Sequence, residues 1–257
     1  QSSLEFLCYI NSITREPHKI SQITIELINP SQKRLISSPA PETMKIPALM
    51  VTILALAFTA SASDPDPLQD LCVADTNSTI RVNGFPCKAI PVAADFKSAL
   101  IKNPGNTSNP LGSIVTAANV LRFQGLNTQG VSFARVDFAP GGTNPPHIHP
   151  RGTELLYLIC GRLLVGFVTT GDNKLFLETV EEGELFVFPR GLIHFQLNIA
   201  ATPAFAVAGF NSQNPGTSQV AKAVFASVPP IDDRVLARAF QITPANIQNL
   251  RNLISKT

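Results

Sequence analysis

The 257-residue sequence predicts an all-β domain, a small antiparallel barrel or sandwich, closed by a short helical tail. Two observations carry that prediction. From about Ile114 the chain breaks into short segments rich in Val, Leu, Ile and Phe, with Gly, Pro, Asn and Asp between them, which is how paired strands and their turns read. After Ile231 the period changes, and apolar residues recur three and four apart as on one helix face.

The beginning of the chain reads differently. Residues 1–43 open on Gln1 and hold neither strand nor helix period, so we expect a translated leader or gene-prediction artefact there and assign Cys8 and His18 no role. Met44 then opens a secretory signal over residues 44–62: Lys45, the apolar run Ile46 to Phe58, and Ala60-Ser-Ala62 as a small-residue cleavage site. The run is too short to span a membrane as a helix. A single domain is expected over residues 63–257.

Secretion permits disulfides, and Cys72 with Cys87 is the expected pair. Cys160, in the apolar run Leu155 to Val168, is then expected to be a buried, inert thiol. The sequons Asn77-Ser-Thr79 and Asn106-Thr-Ser108 lie in polar stretches expected at the surface, where glycans attach. Val131 to Phe138, Glu154 to Val168, Lys174 to Val180, Glu184 to Phe188, His194 to Asn198 and Phe205 to Phe210 are the predicted strands. In the tail, Asp232 or Asp233 caps a helix running to Ala239, and Thr243-Pro244 supplies the N-cap and first residue of a second. Ile247, Leu250 and Ile254 give that second helix an apolar stripe, which packs on its own barrel or forms a subunit interface. From position 64 onward 15 basic residues face 14 acidic ones, and no basic cluster points to nucleic acid or a membrane surface.

Chemistry concentrates between Gly141 and Asn198. His147 and His149 stand two apart, so an extended backbone turns both imidazoles to one face, about 6.5 to 7 Å apart along the chain. Pro145 and Pro146 hold the approach extended. A turn at Pro150, Arg151 and Gly152 brings Glu154 back towards the pair, and His194 follows on a later strand. One histidine in an apolar strand is commonly a packed core residue. Three imidazoles and a carboxylate together suit a first-row ion such as manganese, iron or zinc.

The spacing on both sides resembles the cupins, and within them the germins and germin-like proteins of plants. Gly141, His147, His149, Glu154 and Gly161 meet every position of the first cupin motif; Gly183, Pro189, Gly191, His194 and Asn198 meet every position of the second. Leu68 to Asp75, Val136 to Pro140 and Phe210 to Gly216 carry germin-specific stretches, so the likeness covers residues 64–257. The resemblance implies a cupin jelly roll and one Mn(2+) per subunit on His147, His149, Glu154 and His194. It also implies a disulfide between Cys72 and Cys87, secretion to the apoplast and cell wall, and a homohexamer built as a trimer of dimers.

Family chemistry of that kind implies superoxide dismutation or oxalate oxidation. Oxalate-oxidising germins place two asparagines in the substrate cavity. Asn144 stands at one of those positions, as a substrate-pocket residue, but Ala134 stands at the other. A methyl group cannot hydrogen-bond a dicarboxylate, so dismutation is expected ahead of oxalate oxidation. A different class of expectation is a non-catalytic wall or receptor-like binding protein stabilised by its metal.

Overall fold

The computed structural model describes residues 70–80 and 84–255, which lie in one compact unit, Ser63–Thr257. The leader and signal expected over residues 1–62 fall outside the described residues.

Among the described residues ten strands run in chain order: β1 (Ser113–Ala118), β2 (Ser132–Phe138), β3 (Thr143–Ile148), β4 (Glu154–Cys160), β5 (Arg162–Val168), β6 (Leu175–Glu181), β7 (Leu185–Phe188), β8 (Ile193–Asn198), β9 (Ala204–Phe210) and β10 (Ser218–Gln219). They form two five-stranded antiparallel sheets, ordered β1-β2-β9-β4-β7 and β10-β3-β8-β5-β6. Most consecutive strands switch sheets, as the jelly roll expected from the sequence requires.

Alternation decides what each strand offers the interior. Along β4, Glu154, Leu156 and Leu158 point inward while Leu155 and Tyr157 point out; along β8, His194, Gln196 and Asn198 point inward. Between the sheets Phe138, Leu156, Leu158, Leu163, Val165, Val180 and Phe188 form the core.

The stretch predicted as one strand from Glu154 to Val168 is two. Gly161, at φ +102°, turns β4 into β5, and a Cβ there would stand 2.4 Å from that of Ala204. Only glycine fits both the left-handed backbone and the contact. Composition hides the turn because apolar residues continue on both sides of it.

The N-terminal arm has little regular structure and is tied down by the Cys72–Cys87 disulfide and by Asn127, whose amide donates to the Phe85 carbonyl at 2.9 Å. Cys160 corrects the sequence expectation: it is disulfide-bonded, and no described cysteine is free. It is the last residue of β4 and is only partly buried, not sealed in the core. Asn77 and Asn106 are both exposed.

Three α-helices follow the last strand within the described residues: α1 (Val220–Phe225), α2 (Asp233–Phe240) and α3 (Pro244–Ile254). The expected caps are present. Asp232 Oδ1 accepts from the Arg234 amide at 2.8 Å, and Thr243 Oγ1 accepts from the Asn246 amide at 3.3 Å. The sequence does not predict α1, which is too short to show a helical period. Arg251 clamps the group by donating to the Phe225 carbonyl and to Asp233 Oδ1, and Ile247 and Leu236 are buried.

Candidate metal centre

His147 lies on β3 and pairs directly with His194 on β8. The register slips between Asn144 and His147 because Pro145 and Pro146 have no N–H to give the ladder. That slip turns both Asn144 and His147 inward although they are three residues apart. His149 follows just beyond the strand, and Glu154 opens β4 beside Phe188 and Phe210 on its two neighbouring strands.

The four predicted ligands are brought together. Their donor atoms all lie within 4.8 Å of one another, and all four side chains are buried. Glu154 Oε2 is 3.0 Å from His149 Nε2 and 3.2 Å from His194 Nε2. Metal bonds of about 2.0 to 2.2 Å put neighbouring ligands of a six-coordinate ion roughly 3 Å apart, so the observed separations suit one.

Backbone carbonyls set the tautomers. His147 Nδ1 donates to the Pro145 carbonyl and His194 Nδ1 to the Leu192 carbonyl, each at 2.8 Å, while His149 Nδ1 donates to the Gly216 carbonyl. In each ring Nε2 remains for the centre. His149 Nε2 and His194 Nε2 converge on the same carboxylate oxygen, Glu154 Oε2, where a divalent ion is met by ring lone pairs and an anionic oxygen together. The donor set therefore fits a metal.

Burial pulls the pKa of His147 down from 6.5 to about 4, and the neighbouring His194 acts in the same direction. Burial works to raise that of Glu154, but hydrogen bonds from His149 and His194 outweigh it and hold the carboxyl at about 2, against an ordinary 4.5. Both groups are in their metal-binding forms at neutral pH.

A cavity of about 340 Å³ opens onto His147, His149 and Glu154 and is walled by Val136, Ala208 and Phe210. Asn144 and Ala134 line it too. Rings also brace the ligands: Phe188 stacks on His194 with centroids 4.5 Å apart, and Phe210, in the cavity wall, meets His149 edge-on at 4.8 Å.

Two residues of the site escape sequence reasoning. Gln196, wholly buried, touches both Glu154 and Asn144. Its only signal is its position, two residues after His194 on the same face of β8. Gly216 holds His149 through a main-chain carbonyl, which side-chain patterning does not reveal.

Residues 100–248 match the family described as Cupin. The chain is 54% identical over 206 residues to Germin-like protein 1-1 of Oryza sativa subsp. japonica, a match covering 80% of this chain and 95% of that protein. It is 48% identical over 215 residues to Germin-like protein subfamily 2 member 1 of Arabidopsis thaliana, covering 83% and 97%. Among solved structures, an oxalate oxidase superposes with a TM-score of 0.71 at 50% identity, over 74% of this chain and 97% of that one.

Proposed function

Because the chain belongs to the germin-like proteins of the cupin family, we propose that it is a secreted, manganese-binding oxidoreductase that dismutates superoxide to dioxygen and hydrogen peroxide in the apoplast. His147, His149, Glu154 and His194 hold the ion. Manganese supplies the redox couple when bound, alternating between its divalent and trivalent states.

The protein's own part is to shape access and charge. Three neutral imidazoles and one carboxylate leave a bound divalent ion with a net positive charge, which draws a small anion into the cavity. Val136, Ala208 and Phe210 keep its walls apolar and limit bulk water. The two protons consumed in forming hydrogen peroxide come from solvent at the cavity mouth.

The observation that carries the choice of substrate is Ala134. It lines the cavity with Asn144, yet offers no hydrogen bond, and the Asn144 amide already donates to Gln196 Oε1 at 2.7 Å. A dicarboxylate needs groups to orient both ends, whereas superoxide needs an open position on the ion. The likeness to an oxalate oxidase at 50% identity favours oxalate oxidation as the second reading.

Metal analysis, superoxide dismutase assay and oxalate oxidase assay on one preparation decide between them. Since one ligand set holds one ion, the expected result is about one manganese per chain with dismutase activity only. His194→Ala should lose both metal and activity. Ala134→Asn should raise oxalate turnover by roughly tenfold or more, the worth of one buried hydrogen bond. Oxalate turnover by the wild type would select the second reading; full metal with neither activity would make the protein a binding component of the wall.

A further inference from the structure

Gln196 is the most deeply enclosed polar side chain beside the centre, with no exposed surface. Its amide stands between two other groups of the site: Nε2 donates to Glu154 Oε1 at 3.2 Å, and Oε1 accepts from Asn144 Nδ2 at 2.7 Å. The Glu154 oxygen it touches is not the one facing His149 and His194, which is Oε2. One carboxylate oxygen is therefore occupied by an amide and the other by the candidate ligand sphere.

We propose that Gln196 is a positioning residue of the metal centre, which restricts Glu154 to ligation through Oε2 alone and fixes the direction in which the Asn144 amide faces the cavity.

The physical reason is a chain of forced choices. An ionised carboxylate only accepts hydrogen bonds, so Gln196 must turn its NH₂ towards Glu154. That leaves its carbonyl towards Asn144, which must answer with its own NH₂. The ionised Glu154 thus orients an amide two residues removed from it through space. A carboxylate with both oxygens on the ion would fill a further coordination position, and Gln196 keeps that position open. The packing permits no easy alternative, since a buried amide that lost either partner would be left unsatisfied.

The inference rests on the metal reading of the site and is independent of which substrate is turned over. It is tested on the full secreted chain with manganese(II) as the probe, by measuring affinity and the electron paramagnetic resonance spectrum of the bound ion. Gln196→Met keeps side-chain length and removes both hydrogen bonds; Gln196→Asn keeps the amide but is one methylene too short to span the pair. Each should weaken manganese binding by about ten- to a hundredfold, the usual effect of removing a group that orients a ligand, and each should change the fine structure of the spectrum. Asn144→Ala leaves the bond to Glu154 in place and should alter the spectrum less.

A folded Met or Asn variant with wild-type affinity and an unchanged spectrum would overturn the proposal. Should both variants fail to fold, a crystal structure of the manganese-loaded wild type decides it: both Glu154 oxygens on the ion would overturn it, and Oε2 alone with Oε1 on Gln196 would sustain it. A wild-type chain that takes up neither manganese nor another first-row ion removes the metal reading, and this inference with it; loss of dismutase activity alone touches neither.

Discussion

His147 and Glu154 make the metal-free protein sensitive to acid, and both act with the same sign. The unfolded chain protonates His147 near 6.5, but the folded chain refuses that proton until about pH 4. Between those values the unfolded state binds more protons, so stability falls as pH drops. Glu154 follows at lower pH. Its folded carboxyl stays ionised to about 2, so its contribution is present above 4.5 and is lost as pH falls from there. Chelator-treated protein should therefore melt at progressively lower temperature from pH 6.5 down to about 2, with no slope from these two groups above pH 6.5. A series of thermal melts measures it, and a flat profile across that range would exclude the burial and hydrogen bonding that the shifts depend on. The four candidate ligands are legible in the sequence because each is a chemically distinctive residue at a fixed distance from a Gly or Pro turn. Gln196 is not legible there, since an amide on a strand has no chemistry of its own until its neighbours are known.

Among the elements, the β4–β5 turn is a joint that a single substitution breaks. Gly161 combines a φ of +102° with close contact to Ala204, whose Cβ and Cα would lie 2.4 and 2.9 Å from an added Cβ. Gly161→Ala should destabilise the fold by about 2 to 4 kcal/mol, backbone strain and overpacking together; chemical denaturation would record it as a lower midpoint with an unchanged slope. An unchanged midpoint would mean that the Ala204 strand yields. Most of the predicted strands agree with the structure to within a residue at each end, because β-rich composition and turn residues coincide. β3 is the exception near the site: the sequence reads its backbone as extended but not its pairing, which the register slip at Pro145 and Pro146 interrupts. β10 and α1 escape the sequence too, being short segments whose form is set by what they pack on and not by their own period.

For the molecule as a whole, the outer faces of β4 and β7 carry the assembly question. Leu155 pairs with Val187 and Tyr157 with Leu185 across the ladder, and all four side chains are exposed, from 38% for Tyr157 to 61% for Leu185. A contiguous apolar patch left exposed on a domain surface marks a contact surface. We propose that it is buried between subunits of the expected homohexamer, with the helical tail, where Val235, Phe240 and Leu253 are also exposed, contributing a second contact. Leu155→Glu with Val187→Glu should reduce the mass seen by light scattering at least twofold, the step from a paired to an unpaired subunit, while metal content stays constant. A mass equal to the wild type's would assign the patch another role.

Residue order alone determined the fold class, the Thr243 cap of the last helix, the Cys72–Cys87 bridge and the four candidate metal ligands. Each of those depends on local period, turn chemistry or a motif of fixed spacing, all properties of short stretches of chain. Tertiary structure decided the split at Gly161, the disulfide state of Cys160, the carbonyl that holds His149 and the amide chain from Glu154 through Gln196 to Asn144. The contacts that hold the centre depend on which strands become neighbours across the two sheets, where residues 42 to 67 positions apart come within hydrogen-bond distance. Contact between residues so distant in the chain is set by how the whole barrel closes, and no local stretch of sequence carries it.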